Sequence, residues 1–162
     1  MTALGTAAAP PVEALDARRG VFISWAKLRR ADTIAERLGI ESVTIRWFHG
    51  RKSFLIGLVK YAIQWLHTLA LLAWRRPRVV FVTSPPIFAA SAVYLYALVF
   101  RARLVIDFHS GCFIEQHWRR WDRLQRFLAR RAALNLVHNR DNARAMESWG
   151  APYVVFPSIP DT

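Results

Sequence analysis

Short runs of β-branched and aromatic residues alternate with helix-length apolar segments along nearly the whole chain. Val21–Trp25, Val43–Trp47, Arg78–Thr83, Leu104–His109, Leu134–His138 and Pro152–Phe156 read as strands. Each is a short apolar run bounded by turn residues, the pattern of a strand covered on both faces. Helices are expected between them at about Lys27–Leu38, Ser53–Trp74, Pro85–Phe100, Trp118–Ala133 and Asp141–Trp149. Gly39 and Gly150 follow the first and last of these, where a glycine can take the left-handed conformation that ends a helix. The basic Arg75-Arg76-Pro77-Arg78 run stops the second, and Ser84 with Pro85 suits the start of the third. This alternation predicts an α/β fold: a doubly wound, mainly parallel, Rossmann-like sheet of about six strands with helices on both faces.

Residues 1–20 break the pattern. They are rich in Ala and Pro, carry acidic Glu13 and Asp16, and lack the apolar core of a secretory signal, so they read as a disordered leader before a domain over residues 21–155. A chain of 162 residues fits one ordinary domain.

Charge sharpens the picture. The 23 Lys and Arg against 11 Asp and Glu leave a net +12, which favours an anionic partner such as a phosphorylated ligand, a nucleic acid or an acidic membrane surface. Seven Trp and ten Phe within a 54% hydrophobic chain exceed what a simple nucleic-acid binder needs, whereas a domain resting on a bilayer uses both features. One cysteine, Cys112, excludes an intramolecular disulfide. Neither a Walker loop nor a G-x-G-x-x-G dinucleotide motif is present.

Two segments have bilayer-spanning length. Val79–Phe100 is uncharged but divided by Thr83-Ser84-Pro85-Pro86, and the segment from Phe54 to Trp74 holds Lys60, Gln64 and His67, which are costly at mid-bilayer. Peripheral attachment is therefore expected, with Trp65 and Trp74 meeting lipid or a partner subunit. Arg119, Arg123, Arg126 and Arg130 recur at spacings of four, three and four, forming a second candidate surface as one stripe on a helix. An ordinary outer helix that snorkels its arginines has the same pattern.

Candidate chemistry gathers at the carboxyl ends of the strands, where open parallel sheets bind ligands. If the strand order reverses beside the first strand, the loops after strands one and four flank one crevice. The first supplies Ser24, Trp25, Lys27 and Arg30 as candidate substrate-binding residues; the second supplies Ser110 and Gly111, with Ser84 nearby after strand three. His109 is the candidate general base, with Asp107 two positions earlier on the same strand face to orient it. A strand-end histidine donating to a backbone carbonyl gives the same pattern. Gly111 fits a positive φ, a close backbone approach or a plain turn. Cys112 lacks a thiol-nucleophile signature, and the spacing of Asp107, His109, Glu115 and His117 matches no established metal site.

Thr83-Ser84-Pro85-Pro86, the small-residue helix after it, Arg101-Ala-Arg-Leu-Val-Ile-Asp107-Phe-His109 and the closing Phe156-Pro-Ser-Ile-Pro-Asp161 together resemble the N-terminal half of GT-B glycosyltransferases of family four. Within that family, the dolichol-diphosphate chitobiose mannosyltransferase branch is the nearest. The resemblance implies a hexosyltransferase built of two facing Rossmann-like domains, with this one on the acceptor side. It places His109 at the acceptor side of the cleft, Gly111 in the loop after strand four and Ser24 to Lys27 near the donor phosphates. Trp25-Ala26-Lys27 stands where many relatives carry glycines. Residues 156–162 read as the start of an interdomain linker, with the donor domain absent. The expected function is thus acceptor recognition for sugar transfer from a nucleotide-sugar donor to a lipid-linked or surface-polysaccharide acceptor. No cofactor is expected on this chain, and the setting is cytoplasmic, on the inner face of the cell membrane. The alternative is a non-enzymatic basic module that binds nucleic acid or scaffolds an anionic membrane.

Overall fold

The computed structural model describes residues 19–46 and 54–157. The expected leader up to residue 18, the Trp47 end of the second strand, Ser53 and residues 158–162 lie outside the described residues.

Among the described residues, six strands and seven helices follow in the order β1 (Gly20–Ser24), α1 (Arg29–Leu38), β2 (Glu41–Thr44), α2 (Phe54–Arg75), β3 (Val79–Ser84), α3 (Ile87–Phe100), β4 (Arg103–Phe108), α4 (Gly111–Ile114), α5 (Gln116–Arg119), α6 (Asp122–Arg131), β5 (Leu134–Val137), α7 (Arg140–Trp149) and β6 (Tyr153–Val155). All five strand pairings are parallel, in the order β2-β1-β3-β4-β5-β6. The protein is an α/β domain with a six-stranded parallel sheet of Rossmann-like type. Residues 79–83 and 104–107 are neighbouring parallel strands, as expected. The order reverses between β1 and β3, so β3, not β4, lies beside the first strand.

Strand periodicity sorts the core into two layers. Phe22, Val79, Phe81, Val105, Leu134 and Leu136 pack with Ala31, Ile34 and Ala35 of α1. The alternate residues Val21, Ile23, Val80, Val82, Leu104, Ile106, Phe108 and Val137 pack with Leu72 of α2, Val93 of α3, Leu128 of α6 and Met146 of α7. Each of these Val, Ile, Leu and Phe side chains contributes about 1.5–3 kcal/mol by leaving water, which makes this central sheet the main source of stability. Polar bonds pin the thicker helical layer. Gln64 donates to the Ile45 carbonyl at 2.8 Å, and Trp65 Nε1 donates to Ser91 Oγ at 3.1 Å, tying α2 to α3.

Gly39 and Gly150 adopt φ of 63° at the ends of α1 and α7, as their positions predict. Three boundaries differ from expectation. The third helix starts at Ile87, with Pro86 at its N-terminal boundary and no side-chain cap; Ser84 ends β3, and its Oγ lies 3.3 Å from Cys112 Sγ inside the core. The basic helix expected from Trp118 is broken, because α5 ends at Arg119 and α6 begins at Asp122. Arg119 therefore stands off the stripe formed by Arg123, Arg126 and Arg130. At the end of the described residues, the Phe156 N–H donates to the Val137 carbonyl at 2.8 Å, one position past β6.

Among the described residues, no helix is long and apolar enough to cross a membrane. Val79–Phe100 is split into β3 and α3 by the turn at Pro85 and Pro86, both preceded by cis peptide bonds.

Candidate functional site at the carboxyl edge of the sheet

The strands end in a polar row on the α1 face. Register sets Thr83 of β3 beside Asp107 of β4, and residues of β4 and β5 remain paired up to Phe108 and Val137. The next positions, His109 and His138, thus leave adjacent strands side by side, with ring centroids 4.4 Å apart. Asp107 and His138 turn toward the same pocket of polar atoms, His138 Nε2 lying 3.9 Å from Asp107 Oδ1.

Arg30, on the first turn of α1, reaches across β3 to this carboxylate. Its Nε lies 3.1 and 3.2 Å from the two Asp107 oxygens and its Nη2 lies 3.2 Å from Oδ1, while Nη2 also donates to the Phe156 carbonyl at 2.9 Å. The guanidinium stacks over the Phe156 ring, 5.3 Å from its centroid. The planar fork of arginine suits this simultaneous grip on a carboxylate and a carbonyl. Burial pushes the Asp107 carboxyl above the usual aspartate range, and Arg30 opposes that shift. His138 is driven down to about 4, first by desolvation, then by the positive Arg30 and by His109, so it is a neutral imidazole at neutral pH.

Asp107 therefore does not orient His109. Its carboxylate is held by Arg30, and among the described residues the His109 imidazole has no hydrogen-bond partner; its backbone is engaged, the N–H donating to the Ser84 carbonyl at 2.7 Å and the carbonyl accepting from the Cys112 N–H at 2.9 Å. The ring is partly exposed. It packs edge-on against the His138 ring, and neither of its ring nitrogens is hydrogen-bonded among the described residues.

The other expected site residues scatter. Arg30 is in the cluster, but as a clamp whose guanidinium is already engaged. Ser24 is buried on the α1 face, and its hydroxyl bonds the Ala26 carbonyl at 2.5 Å. Trp25 points to the opposite face, where it donates to Thr68 Oγ1 at 3.0 Å and stacks on Tyr61; it is a core residue, because the period of two sends it away from Arg30. Lys27 is solvent-exposed. Ser84 faces Cys112, and burial raises that thiol to about 12, keeping it protonated. Ser110 accepts from Asn142 Nδ2 at 3.2 Å, which ties the loop after β4 to α7. Gly111 opens α4 without a positive φ; a Cβ there would approach the movable Glu115 carboxylate at 2.8 Å.

The weighed metal set does not assemble. Glu115 pairs with His117 at 3.5 Å, Arg30 holds Asp107, and no group of three or more candidate ligands exists among the described residues. The expected lipid contacts also divide: Trp74 is 80% exposed, whereas Trp65 is pinned to Ser91 and packs against the core. In the arginine stripe, Arg126 pairs with Asp122 at 2.8 Å and Arg130 caps the Trp149 carbonyl, so two of its members serve α6 and α7.

Sequence reasoning missed His138, Asn142 and the buried Thr83, whose Oγ1 has no hydrogen-bond partner among the described residues. The signal for His138 was available: it closes a strand-length run as His109 does, and two such ends on adjacent strands meet. Comparison with protein-family models and with curated proteins finds no match for this chain.

Proposed function

We propose that this chain is the acceptor-side half of a glycosyltransferase, which works with a donor-binding half carried on another polypeptide or on further sequence. One observation carries the reading: a partly exposed imidazole with unspent hydrogen-bonding capacity sits at the carboxyl edge of a parallel sheet, against His138, which faces the buried Arg30–Asp107 pair. Sugar transfer needs a group of this kind near an acceptor hydroxyl. When the acceptor oxygen attacks the anomeric carbon, the bond from that carbon to the nucleoside diphosphate breaks, and His109 orients the hydroxyl or receives its proton. Neutral His138 supports the ring without adding charge. Arg30 fixes α1, β4 and Phe156 as one unit, so that the site is rigid before an acceptor arrives. The donor phosphates fall to the other half, since Arg30 is committed to Asp107.

Mixing the purified chain with the donor-binding half tests this. Transfer of a sugar to a lipid-linked saccharide is expected from the mixture, with little or none from either part. Robust transfer by the chain by itself would overturn the division of labour, and absence of transfer in a stable mixture of the two would overturn the reading.

A further inference from the structure

The end of the strands opposite His109 carries a basic groove that takes no part in the carboxyl-edge site. β1, β3 and β4 begin side by side there: the Arg78 N–H donates to the Arg19 carbonyl at 3.1 Å and the Arg103 N–H to the Arg78 carbonyl at 2.8 Å. Because α2 and α3 lead into β3 and β4, both helices end at this same edge. Helix ends and strand starts together flank a groove of about 450 Å³, lined by Arg76, Arg78, Arg101 and Arg103 with Phe100 on its wall. Among the described residues, no carboxylate lines it.

The backbone singles out two of these arginines. Arg76 and Arg101 follow the last residues of α2 and α3 and adopt φ of 49° and 54°, a left-handed conformation unfavourable to any residue with a Cβ. Where α1 and α7 end, the chain meets the same demand with Gly39 and Gly150, both at φ of 63°. Among the described residues, Arg76 and Arg101 are the only non-glycine positions with positive φ, and both open on this groove. The helix dipole favours a cation at each of these ends, yet α2 already has Arg75 in its last turn, and Arg78 and Arg103 stand at strand starts. The guanidiniums of Arg76, Arg78 and Arg101 make no hydrogen bond or ion pair among the described residues. Glu41, in the adjoining groove that Arg76 also lines, is paired with Arg75.

Guanidinium forks match phosphate oxygens. One phosphate brings about two negative charges, so four arginines suit a ligand with two or more linked phosphates. The charge is local and does not continue as a track. Beyond Arg103 the surface passes over Ala97, Leu98 and Ala102, and in the next basic groove Arg126 pairs with Asp122 and Arg130 with the Trp149 carbonyl. A long nucleic acid would find few open phosphate partners there, whereas a compact ligand needs none of them.

We propose that this groove at the amino edge of the sheet is a binding site for a small oligophosphate, whose linked phosphates are gripped by Arg76, Arg78, Arg101 and Arg103. The six residues of β3, about 20 Å of extended chain, separate it from the candidate site at His109. It stands independently of the sugar-transfer reading.

Isothermal titration of the full chain with inorganic tripolyphosphate, near physiological ionic strength, provides the test. Saturable binding of one ligand per chain is expected, about tenfold or more tighter than that of orthophosphate. The double variant Arg76→Gly, Arg101→Gly is expected to weaken it about tenfold or more without lowering the thermal midpoint, because glycine takes the same backbone conformation freely. Removing equal charge after the carboxyl ends of β4 and β5, with Arg120→Ala and Arg140→Ala, is expected to leave binding unchanged. ATP is titrated alike: tighter binding assigns Phe100 a nucleobase and equal affinity leaves the phosphates as the whole determinant, either result upholding the site. The proposal is overturned by absence of saturable binding, by orthophosphate binding as tightly, or by a glycine variant that binds like wild type. Equal weakening by the alanine pair, which would reduce the effect to net charge, also overturns it, as does single-stranded DNA bound more tightly than tripolyphosphate. No sugar donor or acceptor is present in this assay, so its failure is separate from failure of sugar transfer.

Discussion

His138 is a buried base that folding keeps neutral, and this has a defined pH signature. Its pKa falls from 6.5 to about 4 under desolvation, the Arg30 charge and His109, with Asp107 facing it at 3.9 Å. Between those values the unfolded chain binds a proton that the folded chain rejects. Its contribution is therefore complete above 6.5 and is lost as pH falls toward 4. Urea unfolding on either side of this window is expected to show a smaller loss of stability for His138→Gln than for the wild type. An identical loss in both would show that His138 is already solvated in the native state. Trp25 makes a contrasting case, being a residue whose sequence position beside a candidate cleft says nothing of the face it occupies. Trp25→Phe removes the bond to Thr68 and is expected to cost about 1–2 kcal/mol in unfolding experiments, with acceptor affinity unchanged.

At the scale of elements, the Arg30–Asp107 pair is the polar joint between α1 and the sheet. Asp107 is 2% and Arg30 12% exposed, so removing one partner strands the other's charge in a poorly hydrated site. Arg30→Leu is expected to lower the free energy of unfolding by about 3–5 kcal/mol, and the double variant Arg30→Leu, Asp107→Leu is expected to recover much of that loss. A double variant as unstable as the sum of the single ones would contradict this account, which assigns the cost to an uncompensated charge. The elements themselves were largely legible, because buried parallel strands write continuous apolar runs and α1 and α7 end at glycines that need φ of 63°. β2 was displaced: expected from Val43, it begins at Glu41, because this edge strand is only half covered and its register is set by pairing of Val21 with Glu41. α4 and α5, four residues each, are too short to show a helical period, and extended Glu115 lies between them. Local spacing set Asp107 and His109 on one face of one strand end, but not the partners either would have. Arg30 as the partner of Asp107 was not identifiable, since the pair spans 77 positions and a strand order that no local pattern encodes.

Across the described residues, the candidate site and the exposed apolar surface lie on different sides of the sheet. Paired histidines close the carboxyl edge over the α1 face, while Trp74, Leu98 and Val99 open outward on the opposite helical layer. For the proposed sugar transfer, His109 is the decisive residue. Transfer rate and thermal midpoint should be measured on His109→Ala with the donor-binding half supplied. The account predicts a turnover lower by about two to four orders of magnitude at an unchanged midpoint, because the imidazole serves the acceptor and is not bonded within the fold. Unchanged turnover, or a lowered midpoint with turnover otherwise retained, would contradict it.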